Sequence, residues 1–199
     1  MTGGPAHQPG GQGRPLGELG HARWPPRFHV SPVDIPGRSL PYAMIKTGKP
    51  GVPDSQTRPQ AVLPVEELRR LLTVAFPEMF SSQGGLSILE IWHGGSRVRK
   101  AFAPHTLRPG GTISGPAMMG LADATMYIAI LGSIGWQPLA VTTSFHINFL
   151  KKPAARALDA ECRLLKLGKR LAVGEIWVHS EGEGDPVAHA SATYSIPDH

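Results

Sequence analysis

Asp123 stands in the middle of Pro116 to Leu131 (PAMMGLADATMYIAIL), a run that carries no other charged residue. A carboxylate there loses much of its hydration, and no basic residue lies within three or four positions to pair with it. Ionisable groups held in apolar surroundings are enriched where general acid–base or nucleophilic chemistry is done. The alternative is that Asp123 faces a polar interface or caps a neighbouring loop. Just before the run comes Arg108-Pro-Gly-Gly-Thr-Ile-Ser-Gly115. This loop aims backbone N–H groups outward at the positive end of a helix, where a developing oxyanion is stabilised. The loop is not G-x-G-x-x-G, it lacks the lysine of a phosphate-binding loop, and Ser114 comes one place too late for a G-x-S-x-G elbow. Gly115 and Asp123 are eight residues apart, hence about 12 Å along a helix, too far for one carbonyl to meet both. Two antiparallel copies of the helix would bring Asp123 of one to Gly115 of the other. If both residues act, a homodimer with two composite sites follows.

Several elements must hold these residues. Ser114 suits the N-cap, Pro116 the first turn and Gly132 the C-cap of a helix over 116–131. Sixteen residues with an acid near the middle are too short and too polar for a membrane span, so the helix is expected inside a protein core. An earlier amphipathic helix is predicted over Pro64 to Phe76, ended by Pro77. Alternating strands follow over Leu86 to His93 and Ser96 to Ala103, joined by Gly94-Gly95 after turn residues Ser81 to Gly85. Four more strands are expected around Leu139 to Leu150, Ala157 to Leu167, Arg170 to His179 and Pro186 to Ile196. The order of helix, two strands, helix, four strands predicts an α+β fold with antiparallel pairing.

Composition bounds the rest. Of the 44 Gly and Pro in 199 residues, 21 fall within residues 1–63, a segment with no sustained apolar periodicity. We expect a largely disordered tail over 1–63 and one folded domain over 64–199. The net charge of +5 is concentrated in the tail, where seven Lys and Arg face three acids. The domain is nearly neutral, which argues against a bulk nucleic-acid surface. A single cysteine, Cys162, excludes an intramolecular disulfide and fits a reducing compartment; it reads as a small buried hydrophobe. No secretory apolar run opens the chain, so a cytoplasmic location is expected. None of the nine histidines has metal-ligand spacing, and no metal is expected.

The stretches HTLRPGGTISGPAMMGLADATM and AVTTSFHINFLKKPA, with the closing ASATYSI, resemble the hotdog-fold acyl-CoA thioesterases of the phenylacetate-degradation type. The resemblance covers about two-thirds of the chain. It implies a long central helix wrapped by an antiparallel sheet, and a homodimer or a homotetramer formed as a dimer of dimers. The family's His-Gly-Gly turn falls on Ser114-Gly115-Pro116, its helical acid on Asp123, its strand hydroxyl on Thr143, and its loop Asn on Arg108. It also implies the reaction: hydrolysis of an acyl-CoA thioester, with the Gly115 N–H polarising the carbonyl, Asp123 as general base or nucleophile, and Thr143 orienting the nucleophile. Ser114 either contributes a hydroxyl or only caps the helix. Lys151, Lys152, Arg156, Lys169 and Arg170 gather at strand ends, where they meet the phosphates of coenzyme A or form solvated turns. No cofactor is implied beyond the CoA carried by the substrate. Because Arg108, Ser114 and Pro116 depart from the family pattern, a non-catalytic acyl-CoA-binding hotdog module stands as the alternative.

Overall fold

The computed structural model describes residues 1, 3, 58–80 and 85–197. All but the first two belong to one compact unit, Thr47–His199, described below. Of the tail expected over 1–63, residues 2 and 4–57 lie outside the described residues, as do 81–84 of the turn expected over Ser81 to Gly85.

Helix α1 (Val65–Ala75) places Leu68 and Leu72 on one buried face, with Glu66 and Glu67 at its positive end. Pro77 does stop it at Phe76, but the chain resumes at once as a second short helix, α2 (Pro77–Phe80), because proline suits a first helical turn. Strands β1 (Leu86–Trp92) and β2 (Gly95–Lys100) form the expected hairpin. Its turn is His93–Gly94, with Gly94 at φ +93°, rather than Gly94-Gly95. Gly95 already belongs to β2, and a Cβ there would run into the Trp92 indole. The loop before the central helix contains an unforeseen ribbon, β3 (Leu107–Arg108) with β4 (Thr112–Ile113), turned by Gly110 and Gly111 at positive φ.

Helix α3 runs over Gly115–Ile134, three residues beyond the expected end. Gly132 is not its cap: it packs inside against Ile91, and Gly135 at φ +94° ends the helix. At 20 residues α3 is long and apolar enough to cross a membrane, so length does not decide the matter; burial does, because twelve of its residues are enclosed by protein. Strands β5 (Val141–Phe149), β6 (Leu158–Leu167), β7 (Leu171–Ser180) and β8 (Pro186–Ser195) complete an antiparallel sheet of order β1-β2-β6-β7-β8-β5 wrapped on α3. This is the hotdog arrangement.

Many of the inward residues of the sheet are small, which lets it come close to the helix: Ala160, Cys162, Ala172, Gly174, Ala188, Ala190 and Ala192 are all buried. A Cβ at Gly174 would lie 3.3 Å from the Met126 sulfur and 3.2 Å from the Arg163 carbonyl. Two serines inside are satisfied by the helix: Ser96 donates to the Thr125 carbonyl at 2.6 Å and Ser133 to the Ala129 carbonyl at 2.6 Å. Residues 58–63, assigned to the tail by composition, hold the fold across its end. Arg58 pairs with Glu90 and lies 4.0 Å over the Trp92 ring, and the Val62 N–H donates to the Gly132 carbonyl at 2.7 Å.

Candidate active site

Twelve buried residues leave α3 one partly open stripe, Pro116, Met119, Gly120, Asp123 and Tyr127, at helical spacing. Asp123 is half-buried on that stripe. Its Oδ1 accepts hydrogen bonds from the Thr142 hydroxyl at 2.7 Å and from the Tyr194 hydroxyl at 2.7 Å. The Tyr194 oxygen also lies 3.1 Å from the Asp123 carbonyl oxygen. Thr142 and Tyr194 are register partners on β5 and β8, so two neighbouring strand positions converge on one helix position.

The strand hydroxyl at the acid is therefore Thr142, whereas the resemblance assigned Thr143. A bulge explains the difference. Thr142 pairs with Tyr194 and Ser144 with Thr193, which leaves Thr143 as the extra residue. Strict alternation from Phe145 and Ile147, which pack on the core, would turn Thr143 toward the helix. The bulge shifts that phase by one residue and re-aims Thr142 instead. Thr143 is exposed and donates to the Thr193 carbonyl at 3.1 Å.

Gly115 opens α3 some 12 Å from Asp123, and one chain does not bring them together. A Cβ at Gly115 would lie 3.1 Å from the Phe149 ring, so glycine is what lets the end of β5 close on the helix start. Ser114 holds the N-cap position, but its side chain makes no capping bond; its N–H donates to the Thr106 carbonyl at 2.8 Å. Arg108 and Pro116 are exposed.

The five cationic candidates fall into two groups. Leu150 and Lys151 donate through their N–H groups to the Val187 carbonyl at the start of β8, while the Arg170 carbonyl accepts from Ile196 just past its end. Val187 and Ile196 are nine residues apart along extended chain, about 30 Å. Lys151, Lys152 and Arg156 thus lie at the Gly115 end, and Lys169 and Arg170 at the Asp123 end. Lys151 is tied to Glu183 at 3.0 Å, and Arg156 donates to the Glu181 carbonyl at 3.2 Å.

Asp123, Thr142 and Tyr194 line a cavity of about 210 Å³ walled by Phe76, Met79, Phe80, Tyr127, Pro138 and Val141. Its apolar walls come from the α1–α2 junction and from the loop entering β5. The Phe76 and Tyr127 rings meet edge to face at 6.1 Å, and Tyr127 stacks on Tyr194 at 6.4 Å. A larger cavity of about 310 Å³ lies among Arg97, Asp159, Glu161, His179 and Glu183. It contains none of the candidate groups, and its Arg97 is engaged by Asp159 at 3.3 Å. The apolar cavity that meets a carboxylate is the one suited to a substrate. Tyr194 and Thr142 were not legible as site residues. The available signal for Tyr194 was the inward series Ala188, Ala190, Ala192, Tyr194, which aims one phenol at the helix and leaves its hydroxyl in need of a partner.

An antiparallel sheet wrapped on a long buried helix defines the hotdog class. The thioesterase superfamily pattern matches residues 110–187. A protein from Silicibacter sp. TM1040, assigned as a thioesterase, is 41% identical; the match covers 71% of this chain and 97% of that one, with a TM-score of 0.64. Zebrafish thioesterase superfamily member 2 shares the fold at 17% identity over 68% of this chain and 99% of its own, with a TM-score of 0.60. A point mutant of the phenylacetic acid degradation protein of Thermus thermophilus shares the fold at 24% identity over 61% of this chain and 99% of its own, with a TM-score of 0.52. No curated protein matches the chain. The chain belongs to the thioesterase superfamily.

Proposed function

We propose that this protein hydrolyses acyl-CoA thioesters in the manner of the phenylacetate-degradation type, at composite sites formed by two copies of the chain. The observation that carries the reading is the Asp123 carboxylate, fixed by two hydroxyls and facing an apolar cavity large enough for a short acyl or aryl group. With the acyl group in that cavity, Asp123 takes a proton from water as the water oxygen adds to the thioester carbon, or itself adds to that carbon. The carbonyl oxygen gains charge and is held by the Gly115 N–H of the other copy. Collapse breaks the C–S bond, and the thiolate leaves and takes up a proton; where Asp123 itself has attacked, water then cleaves the acyl–Asp123 anhydride, releasing the acid and restoring the carboxylate.

The free edge of the sheet supports the dimer. No residue of β5 is buried, its outer side pairs with no strand among the described residues, and Leu139, Val141 and Phe149 are 73%, 56% and 51% exposed. Antiparallel pairing of two β5 edges sets the Gly115 end of one copy against the Asp123 end of the other. The same pairing gathers Lys151, Lys152 and Arg156 of one copy with Lys169 and Arg170 of the other, giving CoA phosphates cations from both. The reaction needs no cofactor or metal, and a cytoplasmic setting suits its substrate.

Release of free thiol across acyl-CoA lengths, compared between wild type and Asp123→Asn, tests this reading. Hydrolysis that falls at least about a hundredfold in the variant supports it. The absence of a side-chain cap at Ser114 and the exposed Arg108 and Pro116 in the loop favour a second reading, a non-catalytic acyl-CoA-binding module. Binding without Asp123-dependent thiol release would establish that alternative.

A further inference from the structure

The geometry points to Tyr194 as the positioning residue that selects which oxygen of Asp123 reacts; this rests on the proposed hydrolysis. Tyr194 lies at the end of β8, beyond the stretch matched by the superfamily pattern, and is only 2% exposed. Its hydroxyl and that of Thr142 both reach Oδ1 at 2.7 Å. A carboxylate oxygen has two lone-pair directions in its plane, so these donors fill Oδ1 and fix the plane of the group. Oδ2 is then the oxygen left to take a proton from water or to attack. Burial first, and the Asp123 charge second, push the Tyr194 phenol far above its usual range, against a smaller opposing effect of the Thr142 hydrogen bond. The phenol therefore keeps its proton and acts as a donor, never as a competing base. Its ring is stacked on Tyr127 and enclosed by core, so the hydroxyl cannot swing away when substrate enters.

The test uses the full-length oligomer and a short-chain acyl-CoA. Tyr194→Phe keeps the ring and removes only the hydroxyl. We expect native circular dichroism, KM within about twofold, and kcat lower by roughly tenfold or more, the size of one charge-assisted hydrogen bond. Two residues acting through one carboxylate are not additive, so Tyr194→Phe combined with Asp123→Asn should be no slower than Asp123→Asn alone. A purely structural tyrosine would instead lower the melting temperature and multiply the two rate losses. An unchanged kcat in a folded Tyr194→Phe, or additive losses in the double variant, overturns the assignment while Asp123-dependent hydrolysis stands. Wild-type protein without hydrolysis, or Asp123→Asn with full activity, overturns the proposed function and this role with it.

Discussion

Thr142→Val against Thr143→Val tests whether the bulge in β5 has exchanged the roles of two adjacent threonines. Valine keeps the β-branched shape and removes only the hydroxyl. At position 142 that hydroxyl donates to a carboxylate at 2.7 Å. Hydrogen bonds to charged groups contribute about 1.5–3 kcal/mol, which corresponds to roughly 10- to 150-fold in rate if the bond holds the reacting group. Tyr194 remains as a second donor to the same oxygen, so the expected loss in kcat is at the lower end, about tenfold. At position 143 the hydroxyl donates to a backbone carbonyl at 3.1 Å on an exposed rim. Its loss costs about 0.5–1 kcal/mol of stability and leaves kcat within about threefold. The assay is thiol release at saturating acyl-CoA, with melting temperatures measured alongside. A Thr143→Val variant slower than Thr142→Val would refute the geometry and restore the role that the family resemblance gave to Thr143.

Arg58→Ala should lower stability by about 1–2 kcal/mol through loss of its pair with Glu90 and its contact over Trp92, which at this chain size lowers Tm by roughly 2–8 °C; removal of residues 1–57 should leave Tm and activity nearly unchanged. Asp159 is held below the usual carboxylate range by its hydrogen bond to Arg99, opposed by burial and aided by the charges of Arg99 and Arg97. Its folded value is depressed, so its contribution is complete above the unfolded value and is lost as pH falls through the folded one. Asp159→Asn should therefore be less stable than wild type at neutral pH, with the two melting curves converging below about pH 4. Burial pushes the Cys162 thiol well above its usual value, so it should not react with a thiol reagent until the protein unfolds, leaving the CoA release assay without background.

The sequence carries the hotdog order and the anomalous acid because both rest on composition over many residues. The 116–131 run is apolar beyond what a surface helix tolerates, and Asp123 interrupts it. Details set by one or two residues were not accessible. Gly132 looks like a cap until the Ile91 side chain is seen against it, and the true end at Gly135 follows from that contact. That the Thr142 hydroxyl, and not that of Thr143, reaches Asp123 depends on a bulge, and a bulge leaves no mark in an alternating pattern. Phe76 reads as the end of a helix, yet with Met79 and Phe80 it forms a wall of the cavity because the chain resumes as a second helix at Pro77. The split of the cationic residues between the two ends of β8 required the sheet register.

The composite site is tested most directly by complementation between two inactive variants, Asp123→Asn and Gly115→Val, the second blocking the helix start against Phe149. Each alone should form a dimer with little hydrolysis. Coexpressed in equal amounts, half of the dimers pair one of each and carry a single intact site, so about a quarter of wild-type activity should return. No recovery in mixed dimers of demonstrated composition would contradict the account, because Asp123 and Gly115 would then have to act within one chain or not act at all.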